Sequence, residues 1–200
     1  MVRSRIIGTG SSVPAKVLSN KDFEKLVDTS NEWIISRTGI MERHIAGDGE
    51  CSSTFGYRAA LSALEMAGTA PEELDMIIVG TISPDMPMPS VACFIQHKLK
   101  ATRASAFDVS AGCTGFLYSL TVADAFIRSG THKKILVIGA ETLSKFTDYQ
   151  DRTTCVLFGD GAGAVVLSAE PGERGILSTH LYADGAYTDY LLMPAGGAIS

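Results

Sequence analysis

Short β-branched runs alternate with helical segments along the chain, and two of the runs, Met76 to Ile82 and Lys134 to Glu141, are too apolar to leave a face in water. Strands of that kind need cover on both sides, and their alternation with helices is the pattern of parallel strands joined by crossovers. An α/β architecture is therefore expected. Further strands are predicted over Arg5 to Gly8, Ala104 to Val109, Thr154 to Phe158 and Ala164 to Ser168, with another beginning over Gly175 to Tyr182. Helices are predicted over Asn20 to Val27, Asn31 to Ser36, Ser53 to Ala67 with Gly68 closing it, the stretch VACFIQHKL with Pro89 in its first turn, and Cys113 to Arg128. In the last of these Phe116, Leu117, Leu120, Ala123 and Ile127 recur at helical steps, so that face should pack on the sheet.

The 200 residues are 46% hydrophobic and 20% charged, which is enough apolar material for one sizeable core and excludes disordered and fibrous classes. Seventeen Lys and Arg against 22 Asp and Glu leave a formal charge of −5, so no chain-wide basic field exists to hold nucleic acid or anionic lipid. No apolar run is long enough for a membrane span and MVRSRIIGTG does not read as a signal peptide, which places the protein in the cytoplasm. Cys51, Cys93, Cys113 and Cys155 form no C-x-x-C pair and lie at no close spacing from His44, His97, His132 or His180, so neither a metal site nor a disulfide framework is expected. No repeat or linker divides the chain. It reads as one α/β unit whose ending, PAGGAIS, has no terminal helix and looks like an interruption.

The stretch AFDVSAGCTGFLYSL carries the most chemistry. Cys113 stands where a buried strand gives way, through Ser110, Ala111 and Gly112, to a helix. Unpaired N–H groups and the positive end of a helix dipole favour a thiolate there, Gly112 permits a sharp elbow, and Gly115 permits close approach of another segment. The other cysteines read as small buried apolar residues.

In TSNEWIISRTGI, Ser30 or Asn31 can cap a short helix, and Trp33 and Arg37 fall four residues apart on one face. An indole beside a guanidinium can clamp a purine and its phosphates, although a lone Trp is more often a packing anchor. GDGAGA at 159–164 matches the spacing of a dinucleotide fingerprint, but that fingerprint needs a helix after its glycines, and AVVLSAE continues as a strand. A turn between antiparallel strands is expected instead, and a nicotinamide or flavin oxidoreductase is rejected. His44 and His132 are expected to be solvated, His97 to lie on a helix and His180 on a strand edge, with none at a spacing that makes it the base for Cys113.

Five blocks in order along the chain, GTGSSVPAKVLSN, TSNEWIISRTGIMERHI, DVSAGCTGFLYSL, DRTTCVLFGDGAGAVVL and ILSTHLYADG, resemble the N-terminal portion of β-ketoacyl-acyl-carrier-protein synthase III, the condensing enzyme that starts bacterial fatty acid synthesis. The resemblance implies a thiolase-like fold, in which this chain would be the first half of a duplicated five-layer αβαβα architecture: residues 1–170 the nucleophile-bearing half and 171–200 the start of the second. It also implies a homodimer. By the same resemblance Cys113 takes the acyl group from a short acyl-CoA, and malonyl-acyl-carrier-protein then undergoes decarboxylative condensation with it. Acyl-CoA is a substrate here, and no cofactor or metal is implied.

The family's contacts to the CoA nucleotide fall on Thr29, Trp33, Arg37 and Arg152, and its acyl pocket on Met88, Leu143 and Phe158. Met88 stands where the family usually has a phenylalanine, and a flexible thioether there would admit longer or branched primers. The His and Asn that the family uses in condensation have no counterpart in these 200 residues, so a chain ending at Ser200 would be acylated but would condense slowly or not at all. Related readings on the same scaffold are a hydroxymethylglutaryl-CoA or secondary-metabolite synthase, and a catalytically incomplete dimerising fragment.

Overall fold

A computed structural model describes residues 2–194 and 196–198; of the closing PAGGAIS, residues 195, 199 and 200 lie outside the described set. The chain opens with β1 (Val2–Ser12), then β2 (Lys16–Ser19), α1 (Asn20–Phe23), α2 (Asn31–Thr38) and β3 (Glu42–Ile45). It continues with α3 (Ser52–Ala67), β4 (Met76–Gly80), α4 (Val91–Leu99) and β5 (Ser105–Val109). After a 3-10 turn at Gly112–Thr114 come α5 (Gly115–Arg128), β6 (Lys134–Thr142) and β7 (Asp160–Pro171).

Five strands form one sheet in the order β1-β7-β6-β4-β5, while β2 and β3 make a separate antiparallel pair. The sheet is mixed, not wholly parallel as the alternation suggested. The β4–β5 and β4–β6 pairs are parallel, and β7 runs antiparallel to both β1 and β6. β6 reaches β7 without a crossover helix, which frees the reversed direction.

Side-chain alternation assigns the two faces. Ile77 and Val79 of β4, with Leu136 and Ile138 of β6, point into a core closed by α3 and α4. Met76 and Ile78, with Ile135 and Val137, point the other way, onto Ala123 and Ile127 of α5. The consecutive residues Ile135 to Ile138 are therefore all fully buried, as expected of a strand covered on both faces. Helices on both sides of one sheet give three layers. α3 lies so close to β1 that a Cβ on Gly8 or Gly10 would fall 2.2 Å from a carbonyl oxygen of the helix, at Ala63 and Ala59 respectively. A smaller third core gathers Phe23, Ile34, Cys155 and Val156 behind α2.

Several local expectations require correction. The run Thr154 to Phe158 is a series of turns and not a strand, with Asp151 accepting from the Thr153 amide and the Thr153 and Thr154 hydroxyls. The glycines of 159–164 form no turn between strands, because from Asp160 onward they already belong to β7. No strand forms over 175–182; the Ile176 amide donates to the Ser4 carbonyl at 2.9 Å on the outer side of β1, without a ladder. Pro89 lies outside the first turn of α4, since Ser90 is the N-cap and its hydroxyl accepts from the Cys93 amide. Leu117 is 54% exposed and faces away from the sheet. No helix among the described residues is long and apolar enough to cross a membrane.

Candidate active site

The end of β5 leads directly into the candidate nucleophile. Gly112 takes the left-handed conformation at φ 53°, which a Cβ would strain, and turns the chain into the 3-10 segment that holds Cys113. The α-helix begins only at Gly115, two residues later than the expected helix from Cys113. No side chain caps α5 at Thr114, whose hydroxyl instead donates to the Ala111 carbonyl at 2.8 Å. The exposed Cys113 thus sits in the 3-10 turn two residues ahead of a fourteen-residue helix that presents N–H groups and positive partial charge toward that end.

This turn rests on β4, an interior strand of the sheet. A Cβ on Gly80, the last residue of β4, would fall 2.7 Å from the carbonyl carbon of Gly115, so the helix start and the strand end touch backbone to backbone. The Thr81 amide also donates to the Val109 carbonyl at 3.1 Å, stitching the segment after β4 to the end of β5. The remaining cysteines divide. Cys155 is buried, and burial pushes its thiol up, as befits an inert packing residue. Cys51 and Cys93 depart from the expected burial. Cys51 is half-buried and its thiol donates to Asp85 at 3.0 Å, while Cys93 is exposed on α4.

A hollow beside this junction is bordered by Thr81, Ile82, Met86, Met88, Asp108 and Ser110. Met88 is 83% exposed on its rim. Leu143 opens a 3-10 turn after β6 and Phe158 precedes Gly159, both half-buried, and neither lines the hollow that holds Met88. The three residues of the expected acyl pocket are thus not united in this cavity.

Two carboxylates missing from the sequence reading hold the hollow in shape. Asp108 accepts from the Val91 and Ala92 amides at 2.7 and 2.8 Å and so fixes the start of α4. Glu141, near the end of β6, accepts from the Ile82 amide at 2.9 Å, the Ser83 amide at 3.1 Å, the Thr81 hydroxyl and the Ser83 hydroxyl. Burial pushes both carboxyls up against those hydrogen bonds. The available signal was an acidic residue inside, or at the end of, an otherwise apolar strand.

Glu141→Gln should leave the Ile82 N–H facing an amide NH2 group, at a cost of about 1–2 kcal/mol. Urea denaturation of the two proteins measures it. A carboxyl raised above its ordinary 4.5 makes the folded state hold the proton longer, so this group's contribution to stability falls as pH rises from that value. The glutamine variant should lose that slope.

The second constellation comes together across the chain. Ser30 is the N-cap of α2 and its hydroxyl accepts from the Trp33 amide at 3.1 Å, which resolves the choice between Ser30 and Asn31. The Arg37 guanidinium lies 5.9 Å from the Trp33 ring centroid, and that of Arg152, from a distant part of the chain, lies 5.8 Å away. Arg152 also pairs with Asp28 at 3.2 Å. Thr29, immediately before the cap, has a buried hydroxyl with no hydrogen-bond partner among the described residues. Two cations therefore flank one indole at the surface.

The histidines stay outside both constellations' hydrogen bonds. His44 is half-buried and bonded to the Pro14 carbonyl at 2.6 Å instead of solvated, and His132 is half-buried with its ring edge-on to Phe126 at 4.8 Å. His97 is exposed on α4 as expected, and His180 lies outside any strand.

Residues 107–185, which include the elbow and the whole of the 152–158 segment, match the model of the family 3-Oxoacyl-[acyl-carrier-protein (ACP)] synthase III. The Beta-ketoacyl-[acyl-carrier-protein] synthase III of Xanthomonas euvesicatoria is 55% identical over 198 residues, covering 99% of this chain and 61% of that protein. The crystal structure of the synthase III of Aquifex aeolicus superposes with a TM-score of 0.89 at 53% identity, over 92% of this chain and 59% of that one. That of Pseudomonas aeruginosa superposes with a TM-score of 0.92 at 40% identity, over 98% and 62%. The chain spans about three fifths of the length of these relatives.

Proposed function

We propose that this chain, which is similar to β-ketoacyl-acyl-carrier-protein synthase III proteins over about three fifths of their length and shares their thiolase-like α/β fold, carries the acyl-accepting half of such a condensing enzyme. The observation that supports this most is the exposed Cys113 in the turn that leads into α5. Its sulfur would attack the thioester carbonyl of a short acyl-CoA; the tetrahedral intermediate collapses, the CoA thiolate leaves, and an acyl thioester remains on Cys113. In the second half-reaction malonyl-acyl-carrier-protein loses carbon dioxide, and the resulting carbanion takes the acyl group from Cys113 and releases its thiol. Residues 1–170 would be the nucleophile-bearing half and 171–200 the start of a second, in a cytoplasmic homodimer, with acyl-CoA serving as substrate and no cofactor required.

Thr29, Trp33, Arg37 and Arg152 would hold the CoA nucleotide. The indole offers a face to adenine, and the guanidiniums offer charge-assisted hydrogen bonds to phosphate. The Arg152–Asp28 pair is exposed and so weakly held that a phosphate can replace the carboxylate. Leu143 and Phe158 would line the acyl group's pocket, and Met88, which shares no cavity with them within one chain, would reach that pocket from the partner subunit of the homodimer.

Mixing the protein with acetyl-CoA and titrating released CoA thiol should give one equivalent per chain within the first phase. No release, or release undiminished in Cys113→Ala, would refute the acyl-transfer reading. Arg37→Ala and Arg152→Ala should each weaken acyl-CoA by about 10- to 100-fold while leaving an acyl-pantetheine thioester, which lacks the nucleotide, nearly unaffected. Competition assays with both substrates measure the difference.

A further inference from the structure

Arg43, in β3, is 3% exposed, yet among the described residues its guanidinium bonds only to neutral acceptors. Its Nε donates to the Val156 carbonyl at 2.8 Å and Nη2 donates to the same oxygen, while Nη1 donates to Asn20 Oδ1. Asn20 passes the connection on, its Nδ2 donating to Asn31 Oδ1 at 3.1 Å and to the Ile40 carbonyl at 2.8 Å. Asn31 is the first residue of α2, which carries Trp33 and Arg37. Val156 lies four residues beyond Arg152, in the same series of turns.

One buried fork therefore grips both pieces of the surface clamp, the helix from one side and the 152–156 turns from the other. Packing holds the fork itself. The guanidinium lies 4.7 Å over the Phe23 ring, and a Cβ on Gly159 would come 3.1 Å from the Arg43 Cβ, so the chain after Val156 passes directly against this side chain. A lysine would keep the charge, but its single ammonium does not reproduce a planar set of donors aimed at two acceptors on different segments.

We propose that Arg43 is a positioning residue for the nucleotide clamp, holding Arg152 in register with Trp33 and Arg37 without touching the ligand. The proposal rests on the reading of that clamp as the CoA site, and the two are separable because Trp33 is the sole tryptophan and its fluorescence reports the clamp directly. Guanidiniums beside the indole attract iodide and repel caesium, so in the wild type iodide should quench Trp33 more strongly than caesium does.

In Arg43→Lys the iodide-to-caesium quenching ratio should drop by about twofold or more as Arg152 leaves the ring, and coenzyme A should bind about tenfold more weakly while pantetheine is unchanged. An unchanged ratio with unchanged coenzyme A binding would overturn the proposal, as would equal losses for coenzyme A and pantetheine, which denote general loosening. If Arg43→Lys fails to fold by circular dichroism, Asn31→Ala decides. It removes the link to α2 at a half-buried position, together with a 3.4 Å bond from Asn31 Nδ2 to the exposed Glu32, and should shift the ratio in the same direction, whereas an unaltered ratio would overturn the proposal. If coenzyme A fails to quench the wild type while the ratio still responds to Arg43, the CoA reading falls and the positioning role stands.

Discussion

Gly80→Ala should lower stability by about 3 kcal/mol, seen as a fall in the urea midpoint, and should slow Cys113 acylation in the molecules that still fold. The added methyl carbon would meet the Gly115 carbonyl carbon at 2.7 Å and its oxygen and the Phe116 amide nitrogen at 2.9 Å. All three are backbone atoms, so no side chain can swing aside. Gly80 is paired with Val109 on one side and Gly139 on the other, which leaves the strand little freedom to retreat. The start of α5 must lift instead, and Cys113 lies two residues upstream of Gly115. Gly163→Ala is the matched control. That position has open space around it and an ordinary φ, and its midpoint should move by no more than about 0.5 kcal/mol equivalent. A Gly80 variant as stable as the Gly163 variant would show that the helix start is not seated on the strand as described.

Cys113→Ala should abolish acyl transfer, with thiol release from acetyl-CoA reduced about a thousandfold or more while the urea midpoint stays near that of the wild type. The side chain is exposed, so its loss leaves no cavity and the effect is chemical, not structural. Cys93→Ala is the informative comparison, because Cys93 is also exposed but stands in the first turn of α4, which Ser90 caps, and not at a strand-to-helix elbow. Its removal should leave the release unchanged. A comparable loss from both variants would mean that exposure, and not placement at the elbow, governs the reaction.

Much of this arrangement was legible in the chain because local signals and tertiary demands agree. The apolar runs at Met76 and Lys134 became central strands, Gly68 closes α3 in the left-handed conformation, and Ser30 caps α2. The four-residue spacing of Trp33 and Arg37 was visible too, whereas the approach of Arg152 to the same ring depends on folding over more than a hundred residues. The strand misread over Thr154 to Phe158 shows a different limit. Its β-branched and aromatic residues suit a strand, but the Asp151 carboxylate captures the Thr153 amide and neighbouring hydroxyls and sets up turns that no ladder partner competes with. In 159–164 the glycines suggested a turn, yet a Cβ on Gly161 would lie only 3.3 Å from the Ser12 carbonyl oxygen, so close strand approach also selects glycine. Arg43 gave no sign at all. A buried arginine is recognisable only when Asn20 and Val156 are seen on either side of it.

The most direct measurement is a cysteine map after incubation with acetyl-CoA: proteolysis followed by mass spectrometry of the peptides bearing Cys51, Cys93, Cys113 and Cys155. The account predicts a single acetyl group, on Cys113. Acetylation of any other cysteine in its place, or an unmodified Cys113 in a folded protein, would contradict it.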